Sequence, residues 1–156
     1  MTNARVLDVG CGFGDFLAFL REVGQVPAYY AGIDVVTEFI DEARRRHPDA
    51  CFQVADLVDL SGENTYDYCL ASGIFYLPSS DWQNYVRETA LKMFELSDKG
   101  SAINFLSSFS RRPDATSYYA DPGVVLSLLG QYVCRRLVLR HDYLPNDFTV
   151  YLYKEQ

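Results

Sequence analysis

The stretch Val6-Leu7-Asp8-Val9-Gly10-Cys11-Gly12-Phe13-Gly14 sets three glycines at every second position directly behind an apolar run. The run has the aliphatic and β-branched character of a buried strand, and the expected strand covers 4–9. Glycines in that place let the backbone turn tightly and approach a ligand with no Cβ in the way. Beyond them Phe16, Leu17, Leu20 and Val23 recur at helical spacing up to Gly24, a C-terminal stop. A strand, a glycine turn and a helix in that order open an α/β domain with a site for a nucleotide-like ligand.

Outward from this start the same alternation continues. A second strand is expected over 29–35, then Thr37 as N-cap of a helix that buries Phe39, Ile40 and Ala43 and pairs Asp41/Arg45 and Glu42/Arg46 on its outer face. His47-Pro48 stops it, with His47 suited to a structural role at the helix end. Strands over 51–55 and 66–71 flank a polar connection holding Ser61, Gly62 and Asn64. A helix over 81–96 should bury Trp82, Tyr85, Val86, Ala90, Met93 and Phe94, and Lys99-Gly100 should turn the chain into a fifth strand over 101–106. The polar segment 107–120 is longer than most connectors and reads as a functional loop. Asp121-Pro122 is an N-cap followed by proline at N1, opening a helix with Val125, Leu128 and Leu129 inward and Gly130 at its end. Two β-rich runs, 132–140 and 148–153, are joined through Leu144-Pro145-Asn146-Asp147. So short a link joins antiparallel neighbours, which makes the last pair a hairpin on the edge of an otherwise parallel sheet of seven strands.

Composition narrows the function. The chain has 156 residues, 49% apolar and 22% charged, values that fit one folded domain over 1–156 and exclude disordered or coiled-coil readings. Fourteen Lys and Arg against twenty-one Asp and Glu leave a net charge of −7, which repels nucleic acid and anionic membranes at long range. Twelve Tyr and ten Phe exceed what such a core requires and suggest rings lining a pocket. Cys11, Cys51, Cys69 and Cys134 are scattered without zinc spacing, so reduced thiols and no metal site are expected. With no basic and apolar leader in the first residues and no apolar run of membrane length, the cytoplasm is the default compartment.

The glycine spacing is GxGxG, whereas dinucleotide enzymes carry GxGxxG, and Asp8 stands where a nicotinamide site usually has an apolar residue. Gly32-Ile33-Asp34 closes the second strand twenty residues beyond Gly14, where an acid accepts hydrogen bonds from ribose hydroxyls. The glycine loop and this acid together are far more specific than either alone.

On these residues, with Ala55-Asp56-Leu57 after the third strand and Tyr66-Asp67-Tyr68-Cys69-Leu70-Ala71 as the fourth, the chain resembles the class I S-adenosylmethionine-dependent methyltransferases from about Val6 onward. The resemblance implies a Rossmann-like α/β fold, sheet order 3-2-1-4-5-7-6 with strand 7 antiparallel, and helices on both faces. It implies S-adenosylmethionine as cofactor, lying across the carboxyl ends of strands 1, 2 and 4. Gly10, Gly12 and Gly14 would pass beneath its methionine part, with Cys11 as a small packing residue and Asp8 fixing the loop and the amino group. Asp34 would take the ribose hydroxyls, Asp56 the adenine amine with Val35 and Leu57 on the ring faces, and Ala71-Ser72 would lie near the methyl group. Members usually carry a few tens of residues ahead of the first strand that cover the cofactor, and that lid is expected to be absent here.

Ser72-Gly73-Ile74-Phe75-Tyr76 departs from the Asn-Pro-Pro-Tyr pattern of amide and nucleic-acid nitrogen methyltransferases and favours a small-molecule acceptor. Its contacts are expected from Phe75 and Tyr76 and from Ser107, Arg111, Arg112, Tyr118 and Tyr119 in the long loop, with the paired arginines clamping an anionic group. Tyr118-Tyr119 equally suits a cap on the core, and His141 with Asp142 suits a solvated hairpin end or a general base. The alternative is a cofactor-binding domain without its own turnover.

Overall fold

The computed structural model describes residues 2–63 and 65–155, so Asn64 of the polar connection lies outside the described residues. Strands β1 (Arg5–Val9), β2 (Tyr29–Asp34), β3 (Cys51–Val54), β4 (Tyr66–Ala71), β5 (Ser97–Leu106), β6 (Leu137–Arg140) and β7 (Asp147–Tyr153) build one sheet in the order β3-β2-β1-β4-β5-β7-β6. The first five pair in parallel, and β7 runs antiparallel to both β5 and β6. Helices α1 (Asp15–Glu22), α2 (Thr37–Arg46), α3 (Trp82–Leu96) and α4 (Pro122–Tyr132) connect them, with a 3-10 turn at Leu57–Asp59. This is the architecture expected from the sequence.

Alternation along β1 divides the core. Val6 packs on one face with Leu17 and Leu20 of α1 and Ile40 and Ala43 of α2. Leu7 and Val9 pack on the other with Val86 and Met93 of α3 and Val125 and Leu129 of α4. Each such fully buried side chain stabilises the fold by roughly 1.5–3 kcal/mol. Among the described residues no helix is long and apolar enough to cross a membrane.

Several local expectations are corrected. Val23 is exposed because α1 ends at Glu22; Gly24, at φ +68°, bonds back to Arg21 O, and the Gln25 N–H reaches Leu20 O. Phe39 lies on the outside of α2, where its ring meets Phe13 edge-on at 4.8 Å. Thr37 does not cap α2; the helix starts from Val36, whose N–H goes to Asp34 Oδ1 at 3.0 Å. Glu42 holds both Arg45 and Arg46, leaving Asp41 to Arg44. Tyr85 is exposed on α3. No turn forms at Lys99-Gly100: α3 runs straight into β5, and one extra residue makes a bulge opposite Tyr66–Tyr68. Gly100 is required there by crowding, since a Cβ would sit 2.2 Å from the Leu152 carbonyl oxygen. Gly130 lies inside α4, which continues to Tyr132, and the last runs pair only over Leu137–Arg140 and Asp147–Tyr153.

Candidate functional site

The glycine turn between β1 and α1 is stitched to the end of β2. Ile33 O accepts the N–H groups of Gly10 at 2.8 Å and Cys11 at 3.0 Å, and Asp34 Oδ2 accepts the Gly12 N–H at 3.0 Å. Asp34 therefore holds two turns at once, the glycine loop through Oδ2 and the entry to α2 through Oδ1. The three glycines do different jobs. At Gly10 the space of a side chain is taken by Ile74, whose Cγ2 lies 2.2 Å from an ideal Cβ; at Gly14 it is taken by His47 and Phe52. Gly12 alone of the three, at φ +53°, has nothing within 4 Å of that position. The loop is packed from below and open above at its centre.

Behind the loop lie dry polar groups. Asp8 is 5% exposed, and the Tyr30 hydroxyl donates to its Oδ2. Burial pushes the Asp8 pKa up to about 6, opposed by the Tyr30 hydrogen bond and reinforced by the charge of Asp34. Burial likewise pushes the Cys11 thiol up to about 12, which makes it an inert packing group and not a nucleophile. His47 is buried against Gly14 with its Nδ1 3.1 Å from an Arg21 guanidinium nitrogen. A guanidinium only donates, so Nδ1 accepts and Nε2 carries the proton with no partner among the described residues. Burial, and then Arg21, lower the His47 pKa, which disfavours a charged ring and suits the structural role expected of it.

Asp56 accepts the Val58 N–H at 3.2 Å as the cap of the 3-10 turn, and Leu57 is buried beneath it. Val35 and Val58 are 65% and 70% exposed, so apolar side chains flank the open side of Asp34 and Asp56.

A cleft of about 470 Å³ opens beside the loop at the carboxyl ends of β1, β4 and β5. Asp8, Ala71 and Ser72 form its near end, Phe16 of α1 one wall, and Asn104, Tyr143, Leu144, Asp147, Thr149 and Tyr151 the far end. The far end depends on the β5–β7 register, which sets Asn104 opposite Thr149. Asn104 Nδ2 donates to Tyr143 Oη at 3.0 Å and to Phe148 O at 3.3 Å, and the Tyr143 and Thr149 hydroxyls are 2.6 Å apart. Sequence reasoning missed this group. Its signal was a single Asn in the middle of the apolar β5 run and the polar alternation of 147–151.

The expected acceptor residues are distributed differently. Phe75 is 3% exposed and packs on Trp82, Tyr85 and Phe105, with its carbonyl accepting the Trp82 indole N–H at 2.9 Å. It is a core residue, a correction to its reading as a substrate contact. Tyr118 packs on Trp82 with ring centroids 4.5 Å apart and planes tilted by 36°, and Tyr119 donates to Asp114 at 2.9 Å in an exposed turn. Tyr76, Arg111, Arg112 and Tyr119 are absent from the cleft lining, and both arginines are exposed. Ser107 is fully buried and lies 2.6 Å from His141 Nε2, tying the β6–β7 connection to the end of β5. Among the described residues no three His, Cys, Asp or Glu are grouped to hold a metal ion.

Residues 6–92 match the family described as methyltransferase domain. A protein of Mycobacterium tuberculosis named as a methyltransferase is 31% identical over 159 residues, covering 94% of this chain and 91% of its own. Among solved structures, a magnesium protoporphyrin IX methyltransferase from Synechocystis PCC 6803 superposes with a TM-score of 0.72 at 16% identity, covering 98% of this chain and 74% of that one. A TehB-like S-adenosylmethionine-dependent methyltransferase from Corynebacterium glutamicum gives 0.71 at 20% identity, covering 99% and 82%.

Proposed function

The chain belongs to the methyltransferase domain family, the class I S-adenosylmethionine-dependent methyltransferases, and from that premise we propose that it methylates a small-molecule acceptor bound in the cleft beside the glycine loop. One observation carries the assignment: the Asp34 carboxylate is anchored to the Gly12 N–H at the one loop glycine with open space above it.

The residues present fit the cofactor. Asp34 keeps lone pairs for the ribose hydroxyls beyond the two backbone donors it already serves. Asp56 supplies an acceptor for the adenine, with one oxygen free of the capping bond, and the exposed Val35 supplies apolar surface; Leu57, expected on the other ring face, is buried beneath the turn, and Val58 is the exposed side chain there. Gly10, Gly12 and Gly14 carry the loop beneath the methionine part, with Cys11 packed under it and Asp8 the nearby anion for its ammonium. Ala71 and Ser72 border the methyl end. When bound, S-adenosylmethionine supplies a methyl group open to in-line displacement by the acceptor. The chain's part is then to hold the acceptor atom about 3 Å away and aligned, a contribution of position more than of acid or base chemistry.

A second reading has its own support. α1 and α2 cover one face over β1 to β3, while Ala102, Asn104, Thr149 and Tyr151 on that same face stay outside both core clusters. Water reaches the cleft from that side, which favours a cofactor-binding domain whose turnover needs a further covering element. Titrating S-adenosylmethionine and S-adenosylhomocysteine into the protein and into Asp34→Ala, with NADH as control, tests the site. Binding lost in the variant supports the assignment, and binding of NADH instead would overturn it. Formation of S-adenosylhomocysteine with added acceptors then separates an enzyme from a binding domain.

A further inference from the structure

Resting on the reading above that the acceptor occupies this cleft, we propose that the cleft selects hydrogen-bond-donating acceptors that are neutral or cationic, and that Asp147 sets this preference. Asp8 and Asp147 are the only charged side chains lining the cleft among the described residues, and both are acids. Asp8 is engaged by Tyr30 and faces the cofactor end. The Asp147 carboxylate, half-buried at the start of β7, accepts no hydrogen bond from the described residues, and its burial pushes its pKa up. The charge of His141, which stands outside the cleft lining, opposes that shift; no cation among the described residues lines the cleft itself, and a bound one would compensate the carboxylate.

The amide of Asn104 adds the same bias. The Phe148 carbonyl can only accept, so Asn104 must present Nδ2 toward it, and the orientation of the whole amide follows. Both N–H groups are then spent on Phe148, Tyr143 and Thr149, while Oδ1 has no donor among the described residues. The far end of the cleft thus offers a carbonyl oxygen and a carboxylate, beside hydroxyls that donate or accept, to whatever enters. Basic groups that could hold an anionic acceptor are outside the lining: His141, whose charge acts on Asp147, has its Nε2 2.6 Å from Ser107 Oγ, Arg140 is paired to Asp142 at 2.9 Å, and Arg111 and Arg112 lie on the exposed loop. Phe16, Tyr143, Leu144 and Tyr151 supply apolar and aromatic walls, so the occupant has a ring or chain that packs as well as a donor that bonds.

The test uses three probes of one shape and three charges: tyramine, tyrosol and 4-hydroxyphenylacetate. Each is titrated calorimetrically into the protein saturated with S-adenosylhomocysteine. Tyramine should bind about tenfold or more tighter than 4-hydroxyphenylacetate, with tyrosol between, and Asp147→Asn should weaken tyramine by about tenfold and close most of the gap. Thr149→Val, which keeps shape while loosening the Asn104 amide, should weaken all three alike. Equal affinities, tighter binding of the anion, or no binding of any probe would overturn the proposal. Failure of S-adenosylhomocysteine to bind would overturn the cofactor reading instead, and the probes titrated without it still read the charge preference of the cleft. Unchanged thermal midpoints show that the variants fold.

Discussion

The Tyr30 hydroxyl donates to Asp8 across the β1–β2 pair, so the one acid behind the glycine loop is held by a single neutral donor in a dry setting. Burial raises the Asp8 pKa from 3.8 to about 6 in the folded chain. With the folded pKa above the unfolded one, protonated Asp8 favours the fold below pH 4, and that benefit is lost as pH rises through about 6. The stability gap between Asp8→Asn and the parent should widen in the variant's favour by on the order of 3 kcal/mol between pH 3.8 and pH 7. Denaturant melts at the two pH values measure it; a gap independent of pH would remove the buried-acid account.

The same acid makes cofactor binding depend on pH. In the site proposed above the ionised form attracts the cofactor's ammonium, so affinity should rise as pH passes through about 6. Tyr30→Phe removes the hydrogen bond that lowers the Asp8 pKa and should move that midpoint upward. Binding isotherms from pH 5 to 8 on both proteins check the direction, and a midpoint that moves down in the variant would contradict it.

The loop glycines separate into structural and binding positions. Gly12→Ala has space for its methyl but keeps a left-handed backbone, at a cost of about 1 kcal/mol in stability, and it should lose most cofactor affinity because the methyl enters the open cradle. Gly10→Ala drives its Cβ into Ile74 and should cost more stability, part of which Ile74→Ala restores. Thermal melts of the four variants decide it, and additive effects at positions 10 and 74 would show that Ile74 is not the obstacle.

Neither Phe75 nor the arginine pair lines the cleft, although the sequence suggested both as substrate contacts. Phe75→Ala should cost about 3–5 kcal/mol by opening a cavity under Trp82 and Phe105, whereas Arg111→Ala and Arg112→Ala should stay within about 0.5 kcal/mol of the parent. Equilibrium unfolding in urea reads these differences. An Arg variant that leaves stability alone yet weakens acceptor binding would return that loop to the site.

What was legible in the sequence was local. The GxGxG turn, Asp34 at the end of β2, the Asp121-Pro122 helix start and the closing antiparallel hairpin each depend on short spacings or a short link, whereas the order of the seven strands follows from the family resemblance. What was not legible depends on tertiary partners. Periodicity marks Phe39 and Tyr85 as apolar without saying that each sits on the outer edge of its helix stripe. An aromatic after β4 reads equally as a pocket wall or as core, and only Trp82 closing over Phe75 decides it. Asn104 and Thr149 are 45 residues apart and meet because β7 inserts antiparallel beside β5, a register that no local pattern states.

That insertion also governs how the molecule is completed. β7 follows β6 in the chain yet lies between β5 and β6, and among the described residues β6 pairs with no other strand. On the ribosome, β1 to β4 can assemble while β5 still presents a long unpaired edge, which stays open to intermolecular pairing until residues 147–153 emerge. The half of the protein that carries the glycine loop is thus born before the wall it shares the cleft with, and a stalled or clipped chain would be an aggregation hazard before it was an inactive enzyme.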